Sequence, residues 1–221
     1  MNDIHLIKQD TYPLQSAPVS KLSFTSFLSE DEKQYCRQFK DYEEIRSPDG
    51  PYVSKTYDLF ANKDLYFLKN KFHKAIILYV EHVLRSPSLK FKLTGSWLTK
   101  NTNNSSHHPH THSNTMLSAV TYFNDSVKAG EKFPGIVFEP KKFSGVFPTF
   151  QFNFDDVEVT DWNIFNCGTY TIRPEHNDVI VFPGHLAHAS EVSPTERYCI
   201  GANYFITGDV GSYINKNKLF L

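Results

Sequence analysis

The chain has 221 residues and a formal net charge of −1, from 23 basic and 24 acidic side chains. That length favours one domain with a sizeable core, and the balanced charge argues against a duplex nucleic-acid partner. No apolar run reaches the length of a membrane span, and three cysteines without a C-x-x-C pair give neither a disulfide framework nor a zinc ribbon.

Residues 1 to about 28 read as extended chain, and Met1-Asn2-Asp3-Ile4-His5 does not open a signal peptide. A cytoplasmic location is the expectation. Ser29-Glu30-Asp31-Glu32 is a capping box, which predicts a helix from there to about Glu44. Ser47-Pro48-Asp49-Gly50-Pro51 is turn chemistry. A second helix is predicted from near Asn62 to just before Ser86-Pro87. Leu65, Leu68, Phe72, Ile76, Tyr79, Val80 and Val83 recur there at helical spacing, a stripe suited to packing on a sheet.

From Lys90 the apolar period changes to alternation around Phe91, Leu93 and Trp97. Strands are predicted over 90–100 and at about 115–124, 135–138, 169–173, 178–182 and 197–206. The aromatic share of 15 %, with 19 Phe and 12 Tyr, suits such a β-rich fold. The stretch 139–168 holds Phe143, Phe147, Phe150, Phe152, Phe154, Trp162 and Phe165 without a clean strand pattern. It reads either as hairpins covering a sheet or as a lid or substrate wall. The division expected is 1–89 as an extended segment with supporting helices, 90–206 as a β core and 207–221 as a tail, in a single structural domain.

Four of the ten histidines fall in His107-His108-Pro109-His110-Thr111-His112. His185 and His188 lie downstream in Phe182-Pro183-Gly184-His185-Leu186-Ala187-His188. Such a cluster can be a solvated loop. Both groups, however, adjoin predicted strands, Met116–Phe123 and Asp178–Pro183, and neutral imidazole is the common ligand of iron, copper and zinc. Residues two apart on an extended chain point the same way, so an H-x-H pair can reach one metal.

The order of these motifs resembles the Fe(II)/2-oxoglutarate-dependent oxygenases. The nearest likeness is to a bacterial and phage branch with H-x-H ahead of an L-S-G-V-Y-Y strand, here His110-Thr111-His112 before Leu117-Ser118-Ala119-Val120-Thr121-Tyr122. The second half of the pattern is Asp178–His188, followed by Arg197-Tyr198-Cys199-Ile200-Gly201-Ala202-Asn203-Tyr204-Phe205. The resemblance covers about residues 90–206 and implies a double-stranded β-helix, a jelly roll of cupin type, with iron at its mouth.

It further implies an oxidoreductase that uses Fe(II), 2-oxoglutarate and O₂ and releases succinate and CO₂ while hydroxylating a substrate. That substrate would be a small molecule or a protein side chain. His110, His112 and His188 would be metal ligands. Arg197 would pair with the distal carboxylate of 2-oxoglutarate, a task suited to its planar fork. Tyr122 would hydrogen-bond the same co-substrate or serve as a core residue. His185 and Asn114 are expected beside the ligands, and His107 and His108 in a loop. The usual H-x-D carboxylate is replaced by His112, which leaves open a register built on His108 and His110. It also leaves open a cupin-like three-His dioxygenase that needs no oxoacid, or a jelly-roll binding protein without enzymatic activity.

Overall fold

The computed structural model describes residues 17–44, 50–102, 104–139, 169–210 and 219–220. Apart from Glu139 at one end, the aromatic stretch 139–168 lies outside the described residues. The chain first forms β1 (Ser20–Ser23), α1 (Glu30–Gln38), β2 (Tyr42–Glu44) and β3 (Tyr52–Ser54). Two 3-10 turns then lead into α2 (Tyr66–His82). The remaining elements are β4 (Lys90–Asn101), β5 (Leu117–Phe123), β6 (Ile136–Phe138), β7 (Tyr170–Ile172), β8 (Asp178–Pro183), β9 (His188–Ser190), β10 (Arg197–Thr207) and the short pair β11 (Asp209–Val210) and β12 (Leu219–Phe220).

Seven strands form one sheet in the order β1-β8-β5-β10-β4-β3-β2, and three form a second in the order β7-β6-β9. All these pairings are antiparallel, and most join strands that are not consecutive in sequence, as in a double-stranded β-helix. Strands β1, β2 and β3 belong to the large sheet, so the first 89 residues contribute strands as well as helices.

Period-two alternation gives the large sheet two different faces. Leu117, Ala119 and Phe123 of β5, Val179 and Val181 of β8, and Tyr198, Ile200, Ala202 and Tyr204 of β10 join one core with α2. Val120, Tyr122, Ile180 and Phe182 point the other way, into a second core shared with Ile136 and Phe138 of the small sheet. The apolar stripe of α2, with Leu68, Phe72, Ala75, Ile76, Tyr79 and Val80, is buried on the first face as its spacing predicts. Val83 lies just past the helix end and is exposed.

The capping box forms as expected. The Glu32 N–H donates to Ser29 Oγ at 3.2 Å, and the Ser29 N–H donates to Glu32 Oε2 at 2.7 Å. The helix it starts ends at Gln38, short of the expected Glu44. Phe39 turns to extended backbone, its ring meets Tyr42 edge-on at 5.0 Å, and Tyr42–Glu44 pairs with Tyr52–Ser54. Aromatic packing and strand pairing here override a weak helical preference.

Candidate metal centre

Backbone hydrogen bonds stitch the two histidine segments together at the mouth between the sheets. The His110 N–H donates to the His188 carbonyl and the His188 N–H to the His110 carbonyl, both at 3.0 Å, and the His112 N–H donates to the Gly184 carbonyl at 2.9 Å. Gly184 is needed where it stands, because a Cβ there would lie 2.1 Å from Thr115 Cγ2. The pairing turns the side chains of His110, His112 and His188 toward one point, with their ligating nitrogens all within 4.8 Å of one another.

The tautomers follow from the acceptors around each ring. His110 Nδ1 lies 2.9 Å from the His108 carbonyl and His188 Nδ1 lies 2.8 Å from the Leu186 carbonyl. His112 Nδ1 lies 2.9 Å from Asn203 Oδ1. A carbonyl oxygen only accepts, so each Nδ1 carries the proton and each Nε2 the lone pair. The Nε2 atoms of His110 and His112 therefore face each other 3.3 Å apart as two acceptors. A cation satisfies that arrangement: two nitrogens at about 2.1 Å from one ion and roughly at right angles stand about 3 Å apart. The residues present thus fit a metal bound by three imidazoles.

Their protonation suits that task. Burial, and then the neighbouring His110, hold His188 down at about 3 and His112 at about 4. Burial also lowers His110, against the opposing effect of the His108 carbonyl. All three are neutral near pH 7, the form that ligates.

Arg197 lies in the same pocket and is only 1 % exposed. One terminal nitrogen donates to the Pro134 carbonyl at 2.5 Å and the other to Asn101 Oδ1 at 3.3 Å, while Nε has no partner. None of the ion pairs among the described residues includes it. The guanidinium sits 5.1 Å from the centre of the Tyr122 ring. Tyr122 is buried on the same wall as Cys199, and burial pushes its hydroxyl well above the usual range. A buried cation without a carboxylate is costly, and it makes this pocket a receptor for an anion. Arg173, the other arginine near a ligand segment, is half-exposed and paired with Glu191.

The structure thus brings His110, His112, His188, Arg197 and Tyr122 into one pocket. His108 is exposed and outside the lining, so the geometry gathers the H-x-H pair at 110 and 112 instead of 108 and 110. His185 and Asn114 do not stand beside the ligands. His185 is exposed on the turn after β8, where Leu186 takes the inward place, and Asn114 is an exposed turn residue at φ 54°. His107, expected in a loop, lines the pocket and stacks on His110 with ring centres 4.1 Å apart. Asn203, Ser118 and Trp97 were not expected at the site. The available signal was strand parity, which places Asn203 on the same face of β10 as Arg197.

Comparisons with known proteins agree with this geometry. The model of the family described as "Putative 2OG-Fe(II) oxygenase" matches residues 95–203, which contain all three histidines and Arg197. The epimerase SnoN from nogalamycin biosynthesis, named as non-heme and alpha-ketoglutarate dependent, superposes with a TM-score of 0.58 at 15 % identity, covering 86 % of this chain and 78 % of its own. A prolyl-4-hydroxylase of Pseudomonas putida gives 0.55 at 13 % identity, covering 86 % and 92 %. HygX from Streptomyces hygroscopicus, solved with nickel, 2-oxoglutarate and hygromycin B bound, gives 0.54 at 11 % identity, covering 85 % and 82 %. At these identities the structural likeness shows the fold. No curated protein matches the sequence. The family match over the residues that build the pocket, on that shared fold, points to a 2OG-Fe(II) oxygenase, a family that works with Fe(II), 2-oxoglutarate and O₂.

Proposed function

We propose that His110, His112 and His188 hold one Fe(II) through their Nε2 atoms, and that Arg197, with Tyr122 beside it, receives the distal carboxylate of 2-oxoglutarate. The observation that carries this reading is the buried guanidinium of Arg197, which faces the pocket without a carboxylate partner among the described residues. The bound iron and oxoacid supply O₂-dependent oxidation of a substrate, coupled to breakdown of 2-oxoglutarate to succinate and CO₂.

The chain's own residues bind and orient. Three neutral imidazoles leave the divalent metal's charge uncompensated, which favours a dianionic co-substrate over a neutral one. Arg197 fixes the far end of that dianion by a charge-assisted pair in a water-poor pocket. Val120 and Ile136 in the pocket wall exclude water. The expected outcome is hydroxylation, on a core spanning residues 90–206 within a single domain.

The substrate is either a small molecule or a protein side chain. HygX carries bound hygromycin B, and a prolyl hydroxylase from Trichoplax adhaerens, with a TM-score of 0.55 at 11 % identity and covering 85 % of this chain and 83 % of its own, carries a peptide fragment. Free Cys36 and Cys199 support a reducing, cytoplasmic setting. Among the described residues no helix is long and apolar enough to cross a membrane.

Anaerobic loading with Fe(II), followed by titration of 2-oxoglutarate, tests the reading through the metal-to-ligand charge-transfer band. Arg197→Ala is expected to keep its iron and to weaken 2-oxoglutarate binding at least about tenfold, since losing one side of a buried charge pair costs roughly 2–5 kcal/mol. A wild-type iron protein that shows no band at millimolar 2-oxoglutarate overturns the oxoacid part of the reading and favours a three-His dioxygenase without it.

A further inference from the structure

The position of His112, where the usual pattern has a carboxylate, is unusual in chemistry, and its surroundings are built to match. A carboxylate there would need no outside help to present a lone pair, whereas an imidazole presents one from Nε2 only if its proton is kept on Nδ1. For His110 and His188 that proton is held by backbone carbonyls two residues before each ring. His112 has no such local carbonyl, and its Nδ1 is met by side chains from two central strands.

Resting on the metal site proposed above, we propose that Asn203, braced by Ser118, is the positioning residue that locks His112 in its Nδ1-protonated tautomer with Nε2 toward the metal. Asn203 Oδ1 lies 2.9 Å from His112 Nδ1 and accepts the Ser118 hydroxyl at 2.8 Å, and Ser118 Oγ lies 2.7 Å from the same Nδ1. The three groups close a triangle in which the hydroxyl proton is already committed to Asn203. The imidazole therefore supplies the other proton.

The scaffold fixes this triangle. Ser118 and Asn203 are direct cross-strand partners on β5 and β10. A register irregularity between Asn203 and Tyr204 in the pairing with β4 falls at that position, the kind of break that re-aims a side chain. Trp97 closes the third side, its ring edge-on to His112 with centres 5.1 Å apart. That ring lies over Gly201, where a Cβ would come within 2.3 Å of it. His112 is left with one orientation and one tautomer.

The choice of an amide over a carboxylate has a consequence for the co-substrate. A carboxylate at 203 would draw the Nδ1 proton, make the imidazole a stronger donor and place a negative charge behind the metal. Asn203 orients the ring without that charge, so the centre keeps its full attraction for a dianion.

The test uses the whole chain, with Co(II) affinity measured anaerobically and, in the metal-free protein, the nitrogen-15 resonances of the histidine rings. Wild-type protein is expected to show His112 protonated on Nδ1. Asn203→Ala should weaken Co(II) binding about 10–100-fold, the usual cost of removing such a partner, with unchanged far-ultraviolet circular dichroism. Asn203→Asp should restore or exceed wild-type metal affinity while weakening 2-oxoglutarate, a pattern that a purely structural role would not produce. Full metal affinity in Asn203→Ala, or a His112 ring still protonated on Nδ1 in that variant, overturns the proposal and leaves the metal site standing. Failure of the wild type to bind Co(II) overturns both.

Discussion

The two faces of the large sheet are made by the same strands and do different work. On β10, Tyr198, Ile200, Ala202 and Tyr204 face α2 in an apolar core. The alternate residues of the strand include Arg197 and Cys199 in the pocket wall, Gly201 under Trp97 and Asn203 beside His112. The first face contributes stability through buried area and the second gives up stability by burying polar groups that await a ligand. A one-residue slip in register would exchange them, so both functions depend on the same alternation. Substitutions on one face are therefore expected to separate cleanly in effect from those on the other.

The largest separation is expected at the ligands. His188→Ala should abolish stoichiometric iron binding while the protein stays folded, whereas His108→Ala, at an exposed position, should leave binding unchanged. Metal analysis of anaerobically purified protein decides it, and retention of one iron by His188→Ala would break the assignment. On the helix face, Phe72→Ala removes a fully buried ring packed against Phe27 and Phe60. It should cost about 3–5 kcal/mol in denaturant unfolding with no change in metal stoichiometry of the folded fraction. Farther from both faces, Ser29→Ala removes the cap of α1 and should cost about 1 kcal/mol, read as a shift of the denaturation midpoint, without touching metal or co-substrate binding.

Much of this was legible in the sequence because it rests on short-range rules. The capping box at Ser29 and Glu32, the stripe from Leu65 to Val80 and the apolar, β-branched runs of β5 and β8 are local patterns, and the structure has each of them. The H-x-H pair and the distal histidine were legible because they adjoin those strands. What escaped depends on contacts across the fold. The end of α1 is set by Tyr42 pairing opposite Tyr52 and Ser54, and β9 exists because Phe138 pairs with His188. Asn203 and Ser118 look like ordinary strand residues until β10 is laid against β5, and His107 enters the pocket only through the turn that exposes His108.

Phe138 of β6 pairs on one side with His188 and on the other with Tyr170 of β7. The chain therefore leaves the small sheet at Phe138, beside the distal histidine, and rejoins it at Tyr170 on the far side of Phe138. The β6–β9 pairing already fixes the position of β9, whatever sequence joins these two points. Doubling the length of such a connection costs only about 0.6 kcal/mol in closure entropy. Evolution can therefore rewrite the segment between Phe138 and Tyr170, in length and in composition, at little cost to the placement of the three clustered histidines.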